Sequence, residues 1–248
     1  MKNNVFKSNN LEEYFSKNRI NWKDFYLSER KIISFVKPNK SNNVLDIGCG
    51  CGGLGLALRE KFGIVNYTGV EINYKSFLTA KKMNKNGVFL SKDLLNINNK
   101  ELKRNNFDFV FSLSCLDWNN NYLKMLNKSW DYVTDGGFLI VTLRLTDRKS
   151  INNFSKSYQY INYQGLKKGE KARYVILNVN EILKNLKNFN PLKIIAHGYW
   201  GKPSTSAVTK YSKLCFTAIA IQKRKKINLD KLIYKLNLPK DILSTINY

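Results

Sequence analysis

The sequence predicts a doubly wound α/β fold, a mostly parallel sheet covered by helices on both faces. Three observations predict it. Apolar strand-like runs alternate with segments of helical periodicity from residue 44 to residue 142. The first of these runs, Val44-Leu45-Asp46-Ile47, feeds a glycine-rich turn, Gly48-Cys49-Gly50-Cys51-Gly52-Gly53, that opens a helix. A chain of 248 residues with 43% hydrophobic content buries roughly three-quarters of its unfolded surface, enough for one full core. In such folds ligands bind beyond the carboxyl ends of the strands.

The elements follow in chain order. Residues 1–40 form an N-terminal helical segment or lid. Apolar residues recur at helical spacing over 11–15 and 25–36, and Pro38 ends the second helix. Tyr14, Phe15, Trp22, Phe25 and Tyr26 cluster here, and either fold over a ligand or pack on the sheet. The main domain spans residues 41–226. Strands are expected at 44–47, 67–71, 87–90, 107–114 and 136–142. Helices are expected at 54–62, 73–84 and 119–133, with Asp117 or Asn119 capping the last. Residues 145–177 break the rhythm. Tyr158-Gln159-Tyr160-Ile161-Asn162-Tyr163-Gln164-Gly165 is denser in tyrosine than a linker, and reads as part of a substrate pocket wall. A helix over 180–189, a strand over 191–197, a loop over 198–204 and a strand over 213–222 complete the domain. Residues 227–248 read as a helical tail: an amphipathic helix (Leu229, Leu232, Ile233, Leu236), then a second short helix after Pro239.

Composition excludes several classes. No apolar run approaches the ~18 residues that span a membrane. The N-terminus has Asn and Lys where a signal peptide needs an apolar core. The expected location is therefore cytoplasmic. The four cysteines, at 49, 51, 115 and 215, lack a metal-ligand spacing and read as small buried residues; no metal is expected. The net charge of +24, from 42 basic and 18 acidic residues, fits both lysine-rich drift and an anionic partner. The lysines are spread along the chain, apart from Lys223-Arg224-Lys225-Lys226, which argues against nucleic acid and for a small anionic substrate. The oligomeric state is left open.

The glycine turn places a ligand against backbone N–H groups at a helix start. Asp46 narrows the ligand. A pyrophosphate would lie close to this carboxylate and be repelled. S-adenosylmethionine has no phosphate and carries a sulfonium and an α-ammonium group, which an acidic strand end suits. The order Val44-Leu45-Asp46-Ile47-Gly48-Cys49-Gly50-x-Gly52 resembles motif I of the class I S-adenosylmethionine-dependent methyltransferases. The resemblance is close over residues 42–145 and loose to about residue 222. It implies a Rossmann-like, doubly wound, seven-stranded and mostly parallel sheet in the order 3-2-1-4-5-7-6, with a substrate-side insertion after strand five. It implies S-adenosyl-L-methionine as cofactor and S-adenosyl-L-homocysteine as product. On this template Glu71 binds the ribose hydroxyls, Asp93 receives the adenine amine and Leu94 packs on the ring. Asp46, Gly48, Cys49, Gly50, Gly52, Ile72 and Ser112 complete the cofactor set.

Methyl transfer from a sulfonium needs alignment and exclusion of water, and a base only where the acceptor holds a proton. Asp117 follows strand four and reads either as base or as helix cap. Arg144, with Arg148 near it in sequence, suits a phosphate or carboxylate. His197, the single histidine, is a candidate base. Trp118, Asn119, Arg144, Tyr158, Tyr160 and Tyr199 are the candidate substrate contacts. Cys115 occupies the place of a nucleophile known in RNA cytosine-5 enzymes, but Ser114 stands where those have proline. The expected activity is methyl transfer to oxygen or nitrogen of a small anionic metabolite, such as a nucleotide-linked or phosphorylated surface-polysaccharide precursor. An RNA methyltransferase and a non-catalytic cofactor-binding protein are the rivals.

Overall fold

A computed structural model describes residues 10–119, 121–162, 164–225 and 230–247. In chain order the elements are α1 (Asn10–Lys17), α2 (Leu27–Val36), β1 (Asn43–Ile47), α3 (Gly53–Phe62), β2 (Asn66–Glu71), α4 (Tyr74–Met83), β3 (Val88–Ser91), β4 (Phe107–Ser112), α5 (Tyr122–Tyr132), β5 (Val133–Thr146), β6 (Tyr158–Tyr160), β7 (Lys171–Arg173), β8 (Leu177–Asn178), α6 (Val179–Lys187), β9 (Lys193–Gly201), β10 (Ala207–Val208), β11 (Leu214–Gln222), β12 (Ile233–Asn237) and α7 (Lys240–Leu243).

The main sheet has nine strands among the described residues, in the order β12-β9-β11-β5-β4-β1-β2-β3, with β8 added beside β5. The expected 3-2-1-4-5-7-6 order is present within it, β11 and β9 taking the last two places. Strands β1 to β5 are parallel, and β11 is antiparallel to both β5 and β9. Both faces are covered, so strand side chains alternate between two cores. Leu45, Ile47 and Val110 enter one, with α5 and α6; Val44, Phe109 and Phe111 enter the other, with α2 and α3. That double burial explains why β1 and β4 read as continuous apolar runs.

Three expectations are corrected. The tail does not start with a helix. Ile233-Tyr234-Lys235-Leu236-Asn237 is a strand, parallel to β9 at the sheet edge. Its exposure alternates with period two, as a pleated edge strand requires. Leu229, assigned to the same helix, lies outside the described residues, as do Tyr163 and Lys226. Only α7 is helical; Ile242 and Ile246 enter the main core, so this tail is an integral part of the domain. The second correction concerns residues 198–204: β9 continues through Gly201, because β11 offers it a full partner as far as Leu214. The start of α5 also moves. Asn121 precedes it, and neither Asp117 nor Asn119 caps it; both belong to a separate 3-10 turn and its end.

Candidate active site

One cavity of about 760 Å³ opens at the carboxyl ends of the parallel strands. Its first end is built by the turn after β1. Gly48 has φ +71°, and a Cβ there would meet Cys115 Sγ at 2.5 Å, so the turn admits no side chain at this point. The N–H groups of Gly48 and Cys49 are tied back to the Val70 carbonyl at 2.8 and 3.1 Å. Glu71 closes β2 and is buried. Gly50 N–H donates to its Oε2 at 2.8 Å and Asn73 N–H to its Oε1 at 2.7 Å. Burial pushes its carboxyl up, and these donors oppose the shift.

Asp46 is 3% exposed, and its Oδ2 accepts a hydrogen bond from the Tyr67 hydroxyl at 2.6 Å. Burial pushes its carboxyl up to about 7, against that hydrogen bond and the nearby Arg19 charge. The site therefore withholds compensation from this carboxylate in the free protein, and a cation placed beside it would supply some. Asp93 caps the following turn, accepting from Leu95 N–H at 3.0 Å. Asp46, Gly48, Cys49, Gly50, Glu71, Ile72, Asp93 and Leu94 all line the cavity. Gly52 and Ser112 do not. Gly52 packs against Ala80 and Phe89, and Ser112 is fully buried at the end of β4.

The second end comes from the turn after β4, the end of β5, the insertion and the β9–β10 loop. Arg144 Nε lies 2.8 Å from Asp117 Oδ2, an ion pair in which both side chains are nearly inaccessible. The N–H does not point along that line; Nη2 instead donates to the Asp117 carbonyl. The guanidinium sits 3.7 Å from the Tyr174 ring centroid and 4.4 Å from that of Trp118. Arg144 is thus consumed by Asp117 and two aromatic faces. Burial raises the Asp117 carboxyl while Arg144 pulls it down, and burial prevails. Its Oδ1 has no hydrogen-bond partner. Asn119 closes its own turn, donating to the Cys115 carbonyl at 2.8 Å.

Asp117, Trp118, Asn119, Arg144, Tyr160 and Tyr199 line the cavity together. Tyr158 and His197 are not brought there. Tyr158 turns to Lys171, 4.5 Å from its ring, within the small sheet β10-β6-β7. His197 sits within β9, its Nδ1 3.1 Å from Asn237 Nδ2 of β12, so the strand unforeseen in the tail occupies it. Burial and Lys31 lower its pKa. Burial pushes the Cys115 thiol up to about 12, which removes the thiolate a nucleophile requires. The sequence did not single out Arg19, Tyr174 or Lys202, all of which line the cavity; Gln159 stood within the expected pocket wall and Tyr26 within the N-terminal aromatic cluster. Lys202 is exposed, and among the described residues no carboxylate pairs with it.

Residues 45–139 match a family model described as a methyltransferase domain. The phosphoethanolamine N-methyltransferase of Plasmodium falciparum is 25% identical over 182 residues, covering 70% of this chain and 63% of that protein. The chain thus spans less than two thirds of this curated relative. Among solved structures, phosphoethanolamine N-methyltransferase 2 of Haemonchus contortus, in complex with phosphomonomethylethanolamine and S-adenosylhomocysteine, superposes with a TM-score of 0.56 at 14% identity, covering 78% of this chain and 51% of that one. A possible histamine N-methyltransferase from Thermotoga maritima gives 0.52 at 19% identity, covering 86% and 94%. The structural likenesses establish the fold. The family match, over residues 45–139, is to a methyltransferase domain, and the subfamily is open.

Proposed function

We propose that the chain is a class I methyltransferase that transfers a methyl group from S-adenosyl-L-methionine to a small phosphorylated metabolite, at nitrogen rather than oxygen. One observation carries this reading: a single cavity joins the strand-end acids Asp46, Glu71 and Asp93 to Asp117, Tyr160, Tyr199 and Lys202. The residues at the first end fit the cofactor. The turn at Gly48 leaves room for close approach, Glu71 has two acceptor oxygens for a vicinal diol, and Asp46 lacks a full counter-charge. When bound, the cofactor supplies an electrophilic methyl on a sulfonium whose leaving group is a neutral thioether.

The chain's own residues do the rest. Lys202 offers an ammonium to a phosphate. Trp118 and Tyr174 hold the buried Asp117–Arg144 pair rigid as a wall of the acceptor end. An amine must lose its proton before it attacks. The cavity lies within the ~300–1,000 Å³ range of small-molecule sites. It must hold cofactor and acceptor together, which favours a phosphorylated amino alcohol, the substrate class in the relatives' names, over a nucleotide-linked polysaccharide precursor. A cytoplasmic setting accompanies this reading; the four cysteines are free thiols, as a reducing compartment keeps them. Among the described residues no helix is long and apolar enough to cross a membrane.

The test uses radiolabelled S-adenosyl-L-methionine with phosphoethanolamine and with ethanolamine. Label is expected in the first and about tenfold or more less in the second, the worth of one charge-assisted contact. In Lys202→Ala the KM for phosphoethanolamine rises by a similar factor with kcat little changed. Equal use of both acceptors, or an unaltered KM, removes the phosphate assignment.

A further inference from the structure

Arg19 is held from several sides at the mouth of the cofactor end. Its backbone has φ +58°, in the left-handed region. Its carbonyl oxygen lies where a Cβ on Gly53 would come within 2.2 Å, so the chain crosses the first residue of α3 in direct contact. The last glycine of the turn therefore seats the protein's own N-terminal segment. Nη2 of Arg19 donates to Glu29 Oε1 at 2.9 Å, in a pair 13% and 0% exposed. Glu29 is itself fixed, its Oε2 accepting Tyr26 N–H at 2.8 Å. The guanidinium lies 4.6 Å from the Phe25 ring centroid and 5.1 Å from that of Tyr26.

An ion pair buried this deeply contributes little to stability compared with apolar packing, and a left-handed non-glycine residue costs stability. Such an arrangement is kept where it serves a site. A guanidinium has five N–H donors, and the bond to Glu29 uses one. None of the others is both buried and unpartnered, and Arg19 lines the same cavity as Asp46 and Gly48. Its charge is felt at Asp46. One anionic and one cationic side chain thus stand at the same end, as the ammonium and carboxylate of an amino acid require.

We propose that Arg19 binds the α-carboxylate of the cofactor's amino-acid end, and that Glu29 positions it. This rests on reading the cavity as the S-adenosylmethionine site. A planar guanidinium accepts a carboxylate through two parallel hydrogen bonds, which lysine cannot reproduce.

The test titrates wild type, Arg19→Met and Arg19→Lys with two ligands by calorimetry. S-adenosylhomocysteine carries the amino-acid end; 5′-methylthioadenosine keeps the adenosine and thioether and lacks it. Arg19→Met is expected to weaken S-adenosylhomocysteine by about ten- to a hundredfold, the worth of a charge-assisted contact, and methylthioadenosine by less than about twofold. Arg19→Lys falls between for the first ligand and matches wild type for the second, and it carries the comparison alone if Arg19→Met does not fold. Equal losses for both ligands, or unchanged S-adenosylhomocysteine binding, overturn the assignment. Failure of wild type to bind either ligand overturns the cofactor reading, and this assignment with it.

Discussion

At the cofactor end, Asp46, Glu71 and Asp93 each lie within two residues of the end of a parallel strand, and β1, β2 and β3 bring them side by side. At the acceptor end, Asp117, Tyr160, Tyr174, Tyr199 and Lys202 come from the turn after β4, the insertion and the end of β9 and its following loop. The first end is fixed by sheet register, which a short sequence already specifies. The second is fixed by packing between segments far apart in the chain. Asp46 and Asp117 sharpen the contrast, since burial raises both carboxyls. Asp46 accepts a hydrogen bond from a phenol and feels Arg19 without an ion pair, whereas Asp117 has an arginine clasped between aromatic rings.

The largest effect expected from this difference is at Asp117. Asp117→Ala leaves Arg144 buried without a counter-ion and costs about 3–5 kcal/mol in chemical denaturation. Replacing the pair together, Asp117→Leu with Arg144→Met, recovers most of that. A loss below about 1 kcal/mol in the single variant would show that water reaches the pair, and the rigid acceptor wall would be lost from the account.

A smaller effect separates the ends by pH. The folded-state pKa of Asp46, about 7, stands above the ordinary 3.8. Between these values the folded protein holds a proton that the unfolded chain has released, so this carboxyl's contribution to stability falls as pH rises through that window. Cofactor binding has the opposite preference, because a cationic amino-acid end favours the ionised form. S-adenosylhomocysteine should therefore bind about tenfold more tightly at about pH 8 than at about pH 6, and Asp46→Asn should flatten the profile. A flat wild-type profile would contradict the placement of the ammonium beside Asp46.

The smallest effect is at His197. It sits in β9 against Asn237, outside the cavity. His197→Ala should change KM and kcat by less than about twofold and stability by about 0.5 kcal/mol or less, the usual range away from a site. A large fall in kcat would place a missing base at the acceptor end.

The same contrast explains what could be read in advance. The place of Asp46, Glu71 and Asp93 at strand ends on the cavity was legible because strand, acid and turn are contiguous, and the apolar runs of a doubly covered sheet are long. The core strand order was legible for the same reason. Arg144 was legible as a candidate, but its partner was not. Nothing local shows that the carboxylate of Asp117 consumes it. Lys202 and Arg19 were invisible among 42 basic residues, since what distinguishes them is a missing counter-ion and a crossing backbone. The tail misled for a physical reason. Leu232, Ile233 and Leu236 fit helical spacing, but Ile233, Lys235 and Asn237 also alternate with Tyr234 and Leu236, and the open edge of β9 decided for the strand.

If the strand-end acids hold S-adenosylmethionine, as proposed, Glu71 shows it most directly. Its two oxygens are the acceptors available to a ribose diol, and they are held in place by Gly50 and Asn73. Calorimetric titration of S-adenosylhomocysteine into wild type and Glu71→Ala is the measurement. Tight binding to wild type and at least about a hundredfold loss in the variant are expected, two charge-assisted hydrogen bonds being removed. Equal affinity for both proteins would contradict the proposal.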